Sequence, residues 1–577
     1  MITIKGLTFL SKGQIQALSS PRYYTEWLAS RVPGTVTRHG IPALAYLVLA
    51  LVVGWPMLGG DFPAGVDTPT FLHLGWVTQQ AVTGGLDSPF TDNYWYGGFP
   101  YLQAYPPLSY GVVGLVSAVP MVDLITVYRV ALIVVFLALG LATYGLALEM
   151  GIRRWASVLA GALTMISYPV LASFFLWGWF SSLAALPIAM GAYILLERSL
   201  RMGSWKTSAL GGVLLALAIL THHMTAFAFG LGLIVWFLFH LVARTYHPYR
   251  LARFSGIFVG VALLVSLSWA IPFLTYWFDV GFERPVPGNW AFPLDGYRRA
   301  LIDSGRIGDF RYPSYLGTLL VPLGAMGLAY SLLAGRRLAA MASIALVLLW
   351  FSLGAKGNVL YYYPPFKSLD VARFHLYAAP FLAVGVVALV SGLINLVAER
   401  WSLLARGRWP LALASLAMVL VMAFPLMDAW NLRGKVEPYR IEPEVQSALD
   451  WISQRPEASA QEDLVFTMGF WTWGSFLVPY ETQRPLAAGW YDEGARNWKT
   501  VQRLRLMAFN ANVDPVVAHQ SLIQLNAKYV VVYDWYPFQH PWLFQEEFQN
   551  HPELFEKQAE WGEGPGGKIM AFEVLTP

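Results

Sequence analysis

The sequence has no cysteine and few charged residues. Only 13% of its 577 residues are charged, whereas about 25% is usual for a soluble protein. The missing cysteines exclude disulfide bonds, thiolate metal sites and a cysteine nucleophile. Hydrophobic residues make up 56% of the chain, and its mean hydropathy is +0.48. This composition is typical of an integral membrane protein.

The basic residues indicate orientation in a membrane. The net charge of +4 comes from Lys and Arg clusters beside apolar runs, and the sequence shows no sign of nucleic-acid binding. The first 40 residues are polar, and no small-residue cleavage site follows the first apolar run. We therefore expect residues 1–40 to form a cytoplasmic segment and the first span to be retained as an anchor.

Eleven apolar runs are long enough to cross roughly 30 Å of hydrocarbon. They lie near residues 41–58, 126–149, 155–171, 180–197, 207–222, 224–243, 254–274, 314–334, 338–353, 374–397 and 409–427. The sequence therefore predicts a mainly α-helical, polytopic membrane bundle over residues 41–430.

The positive-inside rule gives this bundle an orientation. Every second connection is basic, with the cations Arg153, Arg201, Arg253, Arg336 and Arg406. The first external loop, 59–125, has five aspartates and no Lys or Arg. We expect a multi-pass protein of the cytoplasmic (inner) membrane with its N-terminus inside. The segments expected outside are 59–125, 275–313, 354–373 and 428–577.

The first external loop contains one further apolar stretch, from Pro107 to Pro120. It is short and bounded by prolines, so it predicts a helix half-buried at the external surface rather than a span. Counting it as a span would place the basic connection at Arg153 outside.

The chain changes character after residue 430, where charge rises. Runs rich in strand-forming residues at Leu464–Thr467, Tyr529–Tyr533 and Ile569–Val574 predict strands, and Glu442–Gln454 and Val516–Leu525 predict helices. We expect residues 431–577 to form a small extracytoplasmic α/β domain. Its aromatic residues suit either a carbohydrate platform or the domain core: Trp471, Trp473, Trp490, Tyr491 and Trp498.

The first external loop opens with a helix signal. Thr68 is suited to cap a helix and Pro69 to occupy its first position, which puts Asp67 at the lip of a helix at the membrane surface. His73 and Trp76 are three residues apart and share one face of it. The alternative for Asp67 is that its carboxylate merely caps this helix.

The motifs of this loop resemble those of the GT-C glycosyltransferase superfamily. They are Asp67 at the loop start, Trp95-Tyr96-Gly97-Gly98-Phe99-Pro100, and Tyr105-Pro106-Pro107-Leu108. The chain is most similar to a branch of bacterial and archaeal membrane proteins labelled 6-pyruvoyl-tetrahydropterin-synthase-related. Thr221-His222-His223-Met224-Thr225 and Asp370-Val371-Ala372-Arg373-Phe374 also look like that branch. The resemblance covers the whole architecture, and nothing in the sequence suggests pterin chemistry.

The resemblance implies a membrane glycosyltransferase. GT-C enzymes resemble one another in taking a sugar from a polyprenyl phosphate or pyrophosphate at the outer membrane face. By this similarity the chain would transfer a hexosyl or pentosyl group to a glycan, lipid or protein acceptor. Asp67 would be the catalytic base, or a ligand of a divalent metal (Mg²⁺ or Mn²⁺) that neutralises the departing phosphate.

The chain departs from the GT-C pattern in its second external loop. Many GT-C enzymes have a second carboxylate there, but the segment Ser173–Ser181 has none. This departure leaves metal dependence open.

Three basic side chains are predicted at external helix ends. His222 and His223 are suited to bind the phosphate of a donor, and the guanidinium of Arg373 is suited to bind it bidentately. The alternatives are packing for the histidines and a simple membrane anchor for the arginine. We expect Asp67, His222, His223 and Arg373 to converge on one external cavity.

Aromatic residues of the first loop complete the expected substrate-binding set, because aromatic rings stack on sugars. This set adds His73, Trp76, Tyr96 and Tyr105.

Two other functions remain open. A transporter or flippase of a polar lipid or solute would line its path with the two histidines and the external arginine, although ionisable residues inside the predicted spans are few. A non-catalytic GT-C scaffold with a partner in an envelope assembly is favoured by the missing second carboxylate. The charged loop 275–313 suits a flap over a lipid-linked substrate or a solvated surface.

Overall fold

A computed structural model describes most of the chain. The described residues are 34–86, 90–280, 316–317, 320–353, 357–363, 366, 370, 373–400, 409–455, 463–469, 471–489, 495–534, 540–563 and 567–576. Most of the segment 1–40 and of the loop 275–313 lies outside the described residues, as do Trp490, Tyr491 and Arg406.

Helices dominate the first part of the chain. They are α1 (Gly34–Gly54), α2 (Thr68–Thr83), α3 (Tyr101–Ala104), α4 (Leu108–Ser117), α5 (Leu124–Glu149), α6 (Arg154–Ile166), α7 (Tyr168–Phe175), α8 (Phe180–Met202), α9 (Trp205–Thr221), α10 (His223–Val242), α11 (Pro248–Val280), α12 (Leu320–Ala334), α13 (Arg336–Phe351), α14 (Arg373–Arg400) and α15 (Trp409–Arg433). The predicted helical membrane bundle is thus confirmed.

Six helices of the described part are long and apolar enough to cross a membrane: α1, α5, α8, α10, α11 and α14. The pair α6 and α7 makes a seventh if it is taken as one span bent by 42°. Helices α9 and α12 are apolar but shorter. The count of eleven spans therefore remains a prediction.

The predicted span 155–171 is not one straight helix. It breaks at Ser167, whose backbone is extended (φ −66°, ψ 139°), and α7 begins with Pro169 in its first turn. Proline has no backbone N–H to donate to the preceding turn, so a new helix starts there.

Small residues let the helices of the bundle approach closely. A Cβ atom on Gly327 of α12 would lie 2.5 Å from the backbone of Gly385 in α14. Such contacts matter in lipid, where helices gain little from hiding apolar surface from each other. The outer faces are apolar, with Leu264 and Val242 exposed.

The bundle has two chemically different ends. At one end the carboxylate of Glu149 pairs with Arg198 at 3.2 Å and with Arg201 at 2.7 Å, and Arg337 donates to the Glu149 carbonyl oxygen. We call this the basic end, and the sequence predicts that it is cytoplasmic. The opposite end, which carries Asp67, is called the site end.

The stretch from Pro107 to Pro120 forms the surface helix that was predicted. Tyr110 and Val113 of α4 are buried, whereas Val112 and Leu115 on its other face are exposed.

The C-terminal part forms a small α/β domain. Its elements are α16 (Pro443–Ser453), β1 (Leu464–Met468), α17 (Trp471–Thr482), α18 (Trp498–Phe509), α19 (Pro515–Gln524), β2 (Ala527–Tyr533), α20 (Trp542–Asn550), β3 (Phe555–Trp561) and β4 (Ile569–Val574). The strand order is β1-β2-β4-β3, with β1 parallel to β2 and the other pairs antiparallel. The three predicted strands are confirmed, and β3 was missed.

This domain is joined to the first loop by buried hydrogen bonds. The indole Nε1 of Trp95 donates to the Ser475 carbonyl oxygen at 2.8 Å, and the amide of Leu486 donates to the Tyr94 carbonyl oxygen at 2.7 Å. Trp95 is fully buried. The loop and the domain therefore pack as one body at the site end.

Candidate functional site

Four of the described helices begin at one place at the site end. Asp67 precedes α2, Trp179 precedes α8, His222 precedes α10, and Arg373 is the first residue of α14. Each helix N-terminus carries a partial positive charge of about half an elementary charge. The arrangement therefore favours negative charge at their meeting point.

Two glycines hold the segment that carries Asp67 against the next loop. The amide of Asp67 donates to the Trp177 carbonyl oxygen at 2.8 Å. Gly178 has φ +64°, and a Cβ atom there would lie 2.5 Å from the Thr68 hydroxyl oxygen; a Cβ atom on Gly65 would lie 2.7 Å from the Gly178 Cα. Only glycines allow this contact between two backbones.

The carboxylate of Asp67 does not cap its helix. Asp67 occupies the cap position, but its side chain makes no capping hydrogen bond. The prediction that Thr68 caps the helix is also wrong, because Thr68 lies within the first turn and its hydroxyl donates to the Ala64 carbonyl oxygen at 2.7 Å. The Asp67 side chain is 12% exposed and lies 3.6 Å from Arg373 (Oδ2 to Nη2).

The guanidinium of Arg373 is held on several sides. Its Nε donates to Asp370 Oδ2 at 2.9 Å, and its Nη1 donates to the Ser182 hydroxyl at 2.9 Å. Its Cζ lies 4.4 Å from the centre of the Trp179 ring. The side chain is 14% exposed, so it does not act as an anchor that reaches out to the membrane surface.

His222 both caps a helix and contacts the site. Its Nδ1 accepts the backbone N–H of Thr225 at 3.1 Å, so the neutral ring carries its proton on Nε2. Nε2 lies 3.3 Å from the Ser182 hydroxyl and 3.4 Å from Arg373 Nη1. The alternative that His222 has a structural role is therefore correct in part. Its Nδ1 caps the helix, whereas its Nε2 faces the guanidinium of Arg373.

His223 forms the open side of the site, and Tyr105, which is buried, lies beside it. His223 is exposed, and its ring centre lies 5.5 Å from that of His222 and 5.9 Å from that of Tyr105. The predicted proximity of Asp67, His222, His223 and Arg373 is thus observed, and their roles remain predictions.

The other expected substrate-binding residues lie in the protein interior. His73 is fully buried, with Nε2 2.7 Å from Asp92 Oδ2 and its ring stacked on Trp95 at 4.1 Å. Trp76 is 2% exposed, and the hydroxyl of Tyr96 donates to a backbone carbonyl of the C-terminal domain. The expectation that these three contact substrate is wrong for this structure, because their rings fill the junction between α2, the loop and the domain.

The aromatic residues of the C-terminal domain that the structure describes are packed against the protein to different extents. The ring of Trp473 stacks on Tyr439 at 4.2 Å and belongs to the core, and Trp498 is half-buried. Trp490, Tyr491 and the side chain of Trp471 lie outside the described residues.

Two contributors to the site were given no role from the sequence, although Asp370 stands in the same motif as Arg373. The second external loop lacks a carboxylate, as noted, but Asp370 supplies one from another loop. Its spacing of three residues from Arg373 at a helix start could have indicated this ion pair. Ser182 gave no sequence signal, because a serine early in an apolar helix is common.

The donor set does not fit the divalent metal implied by the GT-C resemblance. The described residues contain no group of three or more His, Asp or Glu side chains that could hold a metal ion. Mg²⁺ is held at about 2.1 Å by one or two carboxylates, with waters and substrate phosphates as its other ligands, so those carboxylates must be open to the ion. Here Asp67 and Asp370 both face the guanidinium of Arg373 instead.

Comparison with known families gives one match. Residues 102–432, more than half of the chain, match the family described as "6-pyruvoyl-tetrahydropterin synthase related domain; membrane protein". A comparison with curated protein sequences gives no significant match.

Several solved structures share the fold. The arabinofuranosyltransferase AftD from Mycobacteria has a TM-score of 0.60 and 16% identity, and the match covers 93% of this chain and 40% of AftD. The archaeal oligosaccharyltransferase AglB from Archaeoglobus fulgidus has a TM-score of 0.55, 14% identity and coverage of 85% and 69%. ArnT from Cupriavidus metallidurans has a TM-score of 0.54, 15% identity and coverage of 92% and 97%. At this identity the likeness establishes a GT-C-type fold.

Proposed function

Since this chain belongs to the family of membrane proteins with a 6-pyruvoyl-tetrahydropterin synthase related domain, and has a GT-C-type fold, we propose that it is a membrane glycosyltransferase. The donor is a sugar on a polyprenyl phosphate or pyrophosphate, and the acceptor is a glycan, lipid or protein at the extracytoplasmic face. The supporting observation is that Asp67, Arg373 and His222 meet at four helix N-termini at one end of a membrane bundle.

The phosphate of the donor binds at Arg373. The guanidinium offers donors in a planar fork that matches phosphate geometry. Its Nη1 lies beside the Ser182 hydroxyl and the Nε2–H of His222, so groups that can donate hydrogen bonds come together from three side chains. The four helix N-termini add partial positive charge.

Asp67 acts as the base. It accepts the proton of an acceptor hydroxyl while the acceptor oxygen bonds to the anomeric carbon and the bond to the phosphate oxygen breaks, its electron pair leaving with the phosphate. The 3.6 Å contact of Asp67 with Arg373 is longer than the 2.9 Å contact of Asp370. A phosphate can therefore replace Asp67 at Arg373 while Asp370 still holds the guanidinium.

The structure weakens the two alternatives. The scaffold hypothesis relied on the missing second carboxylate, but a carboxylate suited to act as base and a cation suited to bind phosphate, Asp67 and Arg373, lie 3.6 Å apart without it. For a transporter, charged groups along a path would be expected, but the buried ionisable residues of the described bundle helices lie near the helix ends. Glu149, Glu197 and His240 lie at the basic end, with Glu197 3.7 Å from His240, and His222, His375 and Asp428 lie within two turns of the opposite helix ends.

Replacement of Asp67 by asparagine tests the mechanism. We expect transfer from a panel of radiolabelled polyprenyl-phosphate sugars, by protein in lipid nanodiscs, to fall by about 10²- to 10⁴-fold, as for loss of a general base. The matched control is Asp123→Asn, because Asp123 is exposed and caps α5 through the Thr126 amide at 2.8 Å, a role that asparagine can also fill. Undiminished transfer by folded Asp67→Asn protein would remove the mechanism, and no transfer by the wild type from any such donor would remove the function.

A further inference from the structure

We propose that the guanidinium of Arg373 takes the place of a divalent metal ion, so that the site binds the phosphate of a lipid-linked donor without one. The inference deepens the proposed function and rests on it for the identity of the donor. Its geometric basis is the position of one arginine between two carboxylates.

Arg373 occupies the space that a bridging metal ion would need. Its nitrogens lie 2.9 Å from Asp370 Oδ2 and 3.6 Å from Asp67 Oδ2. A Mg²⁺ ion bound to both carboxylates would sit about 2.1 Å from an oxygen of each, and so against the guanidinium. Two cations cannot share this position at a comparable free energy, because they repel each other at close range.

Arg373 also has the properties that such a site requires of its cation. Its charge does not titrate at any physiological pH. The ring of Trp179 at 4.4 Å and the Ser182 hydroxyl at 2.9 Å fix its plane, much as ligands fix a metal ion. Unlike a metal ion, it needs no further ligands from the loop 173–181, which has no carboxylate.

The charge of the surroundings fits an anion without a second cation. Two carboxylates and one guanidinium leave one negative charge, and the neutral ring of His222 does not change it. Four helix N-termini of about half a charge each oppose this negative charge. His223, which is exposed beside His222, adds a positive charge whenever it is protonated.

Metal binding by Arg373→Gln protein tests the proposal directly. We expect the wild-type protein to bind dodecyl phosphate in the presence of EDTA. In a separate titration with Mn²⁺ and no EDTA, electron paramagnetic resonance should detect no stoichiometric binding of Mn²⁺ to the wild type. Removal of the guanidinium frees two carboxylates, so Arg373→Gln protein should bind one Mn²⁺ with at least tenfold higher affinity than the wild type, and should lose dodecyl phosphate. Arg373→Lys keeps a cation and should stay free of Mn²⁺.

Two further variants serve as controls. Arg433→Gln removes an arginine whose guanidinium lies over the Trp430 ring at 5.3 Å, and should gain no Mn²⁺. Combining Arg373→Gln with Asp370→Asn should abolish the new Mn²⁺ site. If Arg373→Gln protein does not fold, Mn²⁺ binding to the wild type still tests the proposal. Binding of one Mn²⁺ per wild-type chain, lost in Asp67→Asn protein, would overturn it.

The outcomes also separate this proposal from the proposed function. Transfer that requires added Mn²⁺ or Mg²⁺ would keep the glycosyltransferase and overturn the role of Arg373. A wild type that binds dodecyl phosphate in EDTA but transfers sugar from no polyprenyl-linked donor would keep the role of Arg373 and overturn the glycosyltransferase.

Discussion

At the scale of single residues, Gly178 sets the position of Asp67. With φ +64°, a Cβ atom at Gly178 would be strained and would lie 2.5 Å from the Thr68 hydroxyl oxygen and 2.8 Å from its amide nitrogen. Gly178→Ala should push the start of α2 away from Arg373. Because a misplacement of about 1 Å can cost roughly 10²-fold in rate, we expect a loss of that order in the transfer assay.

Gly151 provides a matched control for this prediction. Its φ is +84°, but a Cβ atom there would meet nothing within 4 Å, and it lies beyond α5 at the basic end. Gly151→Ala should lower the midpoint temperature of thermal unfolding as much as Gly178→Ala does, because both introduce a similar backbone strain. It should leave transfer unchanged. An equal loss of transfer in both variants would show that Gly178 acts through stability alone.

The chemistry of single residues predicted part of the site. His222 and Arg373 could be found because each is a polar residue at the predicted external end of a span, and Asp67 because it stands at the start of a predicted surface helix. Ser182 could not, since hydroxyl groups in apolar helices usually bond to their own backbone. The placement of His73 at the site was wrong because a helical face rich in aromatic rings looks the same whether it meets a sugar or a protein core.

At the scale of elements, Trp95 joins the first loop to the C-terminal domain. Its ring is fully buried, stacks on His73 and donates to the Ser475 carbonyl oxygen. Trp95→Ala should cost about 3–5 kcal/mol of docking stability, as for a large buried ring. Limited proteolysis should then cut the chain near residues 434–440 at least tenfold faster than in the wild type.

Tyr94→Phe is the control for the loop–domain contact. The Tyr94 hydroxyl donates to the exposed side chain of Gln483 at 3.0 Å, and its loss should change the proteolysis rate little, because exposed contacts contribute about 0.5 kcal/mol or less. Equal cleavage of the Trp95→Ala protein and the wild type would contradict the role of Trp95.

Elements were predicted where their pattern is strong. Long apolar runs and β4 were found because burial on both faces leaves a nearly continuous hydrophobic signal. Strand β3 was missed because Phe555–Trp561 is charged and only Phe555 of it is buried. It lies at the edge of the sheet, where charge is tolerated and protects against further pairing. The break at Ser167 depended on one proline within an otherwise uniform apolar run.

At the scale of the whole molecule, the two ends of the bundle should face opposite compartments. A single cysteine at Ser453, exposed at the end of α16, should react in intact cells with a membrane-impermeant maleimide. A cysteine at Ser204, between α8 and α9 at the basic end, should react only after permeabilisation. The chain has no native cysteine to interfere. Reaction of the Ser204 cysteine from outside would reverse the predicted orientation.

The contact between Trp95 and Ser475 also imposes an order of events during synthesis. The two residues are 380 positions apart, so the ribosome, at about 5–20 residues per second, makes the second roughly 20–80 seconds after the first. During that interval the indole of Trp95 stacks on His73 but lacks the C-terminal domain that covers it in the folded protein. The nascent chain must keep this segment from aggregating until its last quarter emerges, and a chain terminated before Ser475 would lack the contact that covers Trp95.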